Sequence, residues 1–168
     1  MNTRAACVLS VSVIAAVSTA GCDSAPLSGP PTLRAGRDEC RECGMIISED
    51  RHACAMLVES SGFREHILFD DIGCMLDLER AGPEKRTILE RHVHDFVSKS
   101  WVPAETASFL FADPGAAPTP MGSGIIAYAS RLEAQAGAER TGGVVLDYAG
   151  LREARRAWME QRYGKPGG

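Results

Sequence analysis

Two β-type runs, HACAMLV (52–58) and FREHILF (63–69), stand only four residues apart, and those four, ESSG, are turn formers. A link of that kind suits a hairpin, so the two runs are expected as paired strands. DDIGCMLDLERAG (70–82) follows, with Asp70 and Asp71 as cap candidates, apolar Ile72, Met75, Leu76 and Leu78 at helical spacing, and Gly82-Pro83 as a stop. HVHDFVS (92–98) alternates again and reads as a strand. The second half repeats this order: TASFLFA (106–112), a long loop DPGAAPTPMGSG (113–124), IIAY (125–128), the helix formers ASRLEAQAGAER (129–140), VVLDY (144–148) and a closing helix near 150–162. The simplest account is α+β, two tandem ββαβ units, the first over 40–100 and the second, with its C-terminal helix, over 101–163. Units this small bury little alone and are expected to pack together.

Ahead of them, MNTRAACVLSVSVIAAVSTAGC has a basic start at Arg4, a run of small and β-branched apolar residues and a small-residue exit. Residues 1–21 read as an export signal, too short for a comfortable membrane span. Ala20-Gly21-Cys22 resembles the lipobox of bacterial lipoproteins, with Thr19 where that motif usually has Leu, which makes Cys22 the expected lipidation site. The stretch from 22 to 39 is rich in Pro, Gly and small polar residues and is expected to act as a flexible tether. The net charge of −4 and the absence of any basic run exclude nucleic acid as a partner.

An exported chain meets an oxidising compartment, where idle thiols pair. Once the signal and the acylated cysteine are set aside, Cys40, Cys43, Cys54 and Cys74 remain, and their pairing is not readable from sequence. Cys40-x-x-Cys43 opens a disulfide, a zinc knuckle, a redox pair or a soft-metal site equally well. A knuckle needs a second C-x-x-C or an H-x₃₋₅-H, and neither exists here, so zinc is not expected. A thioredoxin-like pair sits at the start of a helix, whereas this one leads into GMII and a strand. Met45 adds a thioether two residues on, and thiolates with a thioether match Cu(I). Met121 stands in PTPMGSG, where Pro118 and Pro120 stiffen the loop and Gly122 and Gly124 let it turn tightly. His92 and His94 share a strand face, His52 and His66 are candidates to pair across neighbouring strands, and Asp70-Asp71 is read as a helix cap. Cys54 and Cys74 are read as a structural disulfide or as small core residues.

The blocks CRECGMII, ILFDDIGCML, HDFVSKSWVPAETASFLFA, TPMGSGIIAYASRLEAQA and GGVVLDYAGL, in that order, resemble those of the NosL lipoproteins, from about Cys40 to about Leu151. The resemblance implies a two-unit ββαβ fold like that of the organomercurial lyase. It also implies an accessory lipoprotein that binds Cu(I) and delivers it to nitrous oxide reductase or its assembly machinery. By the same resemblance, Met121 looks like the family's copper-binding methionine. Where some members carry a histidine shortly after it, this chain has Ser123 and Gly124, which leaves room for Cys40, Cys43 or Met45 to complete the site.

The expected function is a non-enzymatic copper chaperone, lipid-anchored on the extracytoplasmic, periplasmic face, with Cys40, Cys43, Met45 and Met121 as metal ligands and Cu(I) as cargo. The alternatives are a tethered thiol–disulfide reductant working through Cys40 and Cys43, and a structural lipoprotein with every cysteine oxidised.

Overall fold

A computed structural model describes residues 26–82 and 86–164; the signal and Cys22 lie outside the described residues. The hairpin forms β1 (Cys54–Ser60) and β2 (Phe63–Phe69). Its loop is two residues, Ser61 and Gly62, both at positive φ, which matches the twist of the strands it joins. The helix α1 (Ile72–Ala81) leads to β3 (Thr87–His94) and β4 (Trp101–Pro103), giving an antiparallel sheet in the order β2-β1-β3-β4. The second unit contains β5 (Ser108–Phe111), β6 (Ile125–Tyr128), α2 (Arg131–Thr141) and β7 (Val144–Leu146), with sheet order β6-β5-β7. The closing helix α3 spans Tyr148–Tyr163. In both units the first strand is central.

Residues i and i+2 of a strand share a face, and this sorts the cores. Met56 and Val58 of β1, Phe69 of β2, Met75 of α1, Phe109 of β5 and Leu151 of α3 belong to one core, so the two units are built on shared apolar surface. Leu110, Ile126 and Tyr128, the alternate residues of β5 and β6, pack under Ala134 of α2. A polar clamp reinforces the joint: Glu79 of α1 accepts from Tyr148 Oη of α3 at 2.6 Å and from Arg91 of β3 at 2.8 Å.

The structure departs from the sequence reading in three places. The strand expected over 92–98 begins at Thr87 and ends at His94. Glu90 and Arg91, which break the alternation, are accommodated by the Gly29 N–H, His92 and Glu79, while Asp95 caps the following turn by accepting from the Ser98 N–H at 2.8 Å. The short β4 pairs with His92–His94, so the first sheet runs to Pro103, past the boundary drawn at residue 100. The described part of the 22–39 segment is not a free tether. Gly29 donates to Glu90 at 2.9 Å and its carbonyl meets His66 Nε2 at 2.7 Å, while Gly36 N–H donates to the Ile47 carbonyl at 2.7 Å. Backbone hydrogen bonds rather than apolar burial dock it, and composition does not report these.

Candidate metal centre

The C-x-x-C segment folds as a tight loop. Cys40 N–H donates to the Met45 carbonyl at 2.8 Å and Gly44 N–H to the Cys40 carbonyl at 2.9 Å, with Gly44 at φ +72°, a conformation glycine adopts without penalty. Glu39 and Ile46 close the loop as an isolated β-bridge. Arg41 N–H donates to the Leu68 carbonyl at 2.9 Å, fastening the loop to β2 two residues before Asp70. There the strand ends, Asp70 and Asp71 turn the chain, and Cys74 falls in the first turn of α1. One donor atom from each of Cys40, Cys43, Asp70 and Cys74 therefore lies within 4.8 Å of the others. Cys40, Asp70 and Cys74 are buried and Cys43 is half-buried, which leaves one side of the cluster open.

The electrostatics differ from thiol to thiol. Cys40 is pushed down to about 6, chiefly because the Cys74 thiol donates to its sulfur, with the Cys43 and Asp70 N–H groups adding to it. Cys74, as the donor, is pushed up in turn. Cys43 is pushed up to about 11 by burial, and its thiol lies 3.6 Å from an Asp70 oxygen. These directions make Cys40 the first of the three sulfurs to lose its proton, with the Cys74 thiol as the donor that steadies it.

A thiol–disulfide reductant needs the opposite arrangement, an accessible thiolate. Here Cys40 is only 2% exposed, and the more accessible Cys43 is the one held protonated. All four described cysteines are free thiols, and Cys54, read as a disulfide or core candidate, donates from its sulfur to the Asp71 carbonyl at 3.6 Å. What the cluster offers is three sulfurs and a carboxylate, a set able to hold a soft or borderline metal ion. The sequence spacing shows no knuckle, yet the fold supplies two further donors to the C-x-x-C pair from the β2–α1 corner. Asp70 and Cys74 are the candidate donors that sequence reasoning missed. The available signal was a cysteine in the first turn of a helix, directly after the Asp70-Asp71 pair and so at the same corner as a carboxylate.

Asp71 is the cap of α1 and more than a cap. One oxygen accepts from Gly73 N–H at 2.7 Å, and the other accepts from Thr119 Oγ1 at 2.7 Å and Met121 N–H at 2.9 Å. The Met121 loop of the second unit is thereby pinned to the helix that carries Cys74. The approach is close: a Cβ on Gly73 would lie 2.6 Å from Ser123 Cβ. Asp71→Ala is expected to cost about 3 kcal/mol of stability, from the lost cap and two unpaired donors, measured by urea unfolding, with Asp71→Asn losing less.

The two methionines occupy different places. Met45, 56% exposed, lines a cleft of about 330 Å³ together with Glu49, His52, Asp70 and Pro118. Met121, 46% exposed, lines another groove, facing Trp158 and Met159 of α3. His52 precedes β1 and does not pair with His66, whose ring meets the Gly29 carbonyl. His92 bonds Glu90 at 2.8 Å, and His94 stacks on Trp101 at 3.7 Å.

The sequence profile of the NosL family matches residues 31–155, a span that takes in both sheets, the cysteine cluster and the Met121 loop. The chain belongs to the NosL family. No curated protein matches it by sequence. Among solved structures, the copper chaperone NosL from Shewanella denitrificans is similar in fold, with a TM-score of 0.56 at 18% identity, covering 72% of this chain and 96% of that one. The mixed α+β architecture with two antiparallel sheets is thus shared with a NosL structure. Among the described residues of this NosL chain, no helix is long and apolar enough to cross a membrane.

Proposed function

We propose that this NosL chain holds one Cu(I) on the sulfurs of Cys40, Cys43 and Cys74 and delivers it for maturation of nitrous oxide reductase, tethered at the periplasmic face through lipidated Cys22. The observation that carries the reading is the three-sulfur cluster, pre-assembled on a folded scaffold and open on one side. Three thiolates are soft donors suited to a cuprous ion, and the family and the fold both lie alongside a protein described as a copper chaperone. The role needs no catalytic turnover. Cargo leaves by ligand exchange: a partner's donors enter on the open Cys43 side while the sulfurs depart one at a time.

Asp70 separates copper from zinc. Zinc in a closed site takes four ligands and readily accepts a carboxylate, whereas Cu(I) favours sulfur. Asp70→Asn is therefore expected to weaken Zn²⁺ binding by about 10–100-fold and Cu(I) binding far less, measured by competition with chelators under anaerobic, reducing conditions. A native protein that prefers Zn²⁺ when both metals are offered would overturn the copper reading. The anchor has its own test. Cys22→Ser is expected to move the protein from the membrane fraction to the soluble fraction, and an unlipidated native protein would contradict it.

A further inference from the structure

The cleft beside the cysteine cluster contains an imidazole with nothing to bond. His52 has a side chain only 8% exposed, its Nδ1 is buried without a hydrogen-bond partner, and its Nε2 stands 3.9 Å from a Glu49 oxygen, too far for a hydrogen bond. Buried polar groups are nearly always paired, and one that is not calls for a reason. The ring is held in place by its face, tilted against Phe96 at 5.6 Å. Burial lowers its pKa, which favours the neutral imidazole, the form with a free lone pair.

Two further observations give that lone pair a use. Met45, an exposed residue, lines the same cleft, while its backbone N–H donates toward the Cys43 sulfur. Asp70 belongs both to the cleft wall and to the cysteine cluster, so the cleft and the cluster adjoin at this residue.

We infer that Met45 and His52 form an entry station for Cu(I), a weak two-donor site that receives the ion from outside and passes it across Asp70 to the three cysteines. The inference rests on the cysteine reading above and adds a second site to it. A thioether and a neutral imidazole are soft to intermediate donors of low total charge, which capture a cuprous ion without retaining it against thiolates. Transfer is ligand exchange: copper stays Cu(I), its bonds to the imidazole nitrogen and thioether sulfur are replaced by bonds to sulfur of Cys40, Cys43 and Cys74, and the protons of Cys43 and Cys74 leave to the buffer. Glu49 on the rim supplies a carboxylate that draws the cation in.

The test is the rate of loading of the full chain from Cu(I) presented as its bicinchoninate complex, followed anaerobically by stopped flow. Met45→Leu, at an exposed position that puts the fold at no risk, is expected to slow loading about tenfold, and His52→Gln similarly. His66→Gln is expected to load like the native chain. A second measurement isolates the station: in the Cys40→Ser, Cys43→Ser, Cys74→Ser triple variant, Ag(I) is expected to shift the His52 ring nitrogen and Met45 methyl signals and leave His66, His92 and His94 in place. Native loading rates in both station variants would overturn the inference, as would Ag(I) signals elsewhere than His52 and Met45. Loss of equilibrium affinity without a change in loading rate would overturn it too, by placing the two residues in the resident centre. Failure of the cysteine reading appears separately, as native Cu(I) affinity in the triple variant.

Discussion

Replacing Cys40, Cys43 and Cys74 together by serine is expected to lower Cu(I) affinity by on the order of a thousandfold or more, equivalent to about 4 kcal/mol. Serine keeps the size of the side chain but exchanges a soft, ionisable sulfur for a hard hydroxyl that stays protonated at any working pH. The loss is expected to be graded. Cys40→Ser removes the thiolate present before metal arrives, and with it the acceptor of the Cys74 thiol. Cys43→Ser removes the sulfur on the open side, so it is expected to change exchange rate as well as affinity. Cys54→Ser provides the control, since this cysteine is fully buried, bonds the Asp71 carbonyl and is not one of the four clustered donors. It is expected to lose stability while retaining native Cu(I) affinity in the folded protein. Chelator competition under reducing conditions, with urea unfolding on the same samples, separates these outcomes.

The second large effect is on pH. Metal binds the deprotonated sulfurs, so protons and copper compete and affinity rises with pH. With Cys40 already at about 6, its proton is gone at pH 7, while Cys43, at about 11, and Cys74, also raised, still carry theirs. Binding to all three sulfurs then displaces about two protons, and Cu(I) affinity climbs by about a hundredfold per pH unit between roughly pH 7 and 9. Below about pH 6 the Cys40 thiolate is protonated too, and the dependence steepens toward three protons. Calorimetry in buffers of different ionisation enthalpy counts the protons directly, and fewer than one released at pH 7.5 would mean the cluster does not bind through three thiolates.

How much of this was legible depends on which force fixes each part. The β1–β2 hairpin and α1 are written in apolar periodicity and turn chemistry, and they stand where HACAMLV, FREHILF and DDIGCMLDLERAG put them, to within a few residues. β4 carries no such record: Trp101, Val102 and Pro103 form a strand only because His92–His94 are there to pair with. The site divides in the same way. Cys40 and Cys43 advertise themselves by spacing, but Cys74 looks like a core residue of an amphipathic helix and Asp70 like a cap. They become donors because Arg41 N–H fastens the cysteine loop to the end of β2, a single backbone bond between segments 27 residues apart in the chain. The second role of Asp71, pinning the Met121 loop, is equally invisible, since its partners Thr119 and Met121 lie about fifty residues away.

X-ray absorption at the copper edge of the singly loaded chain, prepared with selenomethionine, tests the central claim most directly, because selenium and sulfur scatter distinguishably and every methionine is thereby labelled. A resident centre of Cys40, Cys43 and Cys74 predicts a shell of three sulfurs without selenium. A shell made of selenium and nitrogen with at most one sulfur would contradict it, and would put the copper on methionine and histidine instead of the cysteine cluster.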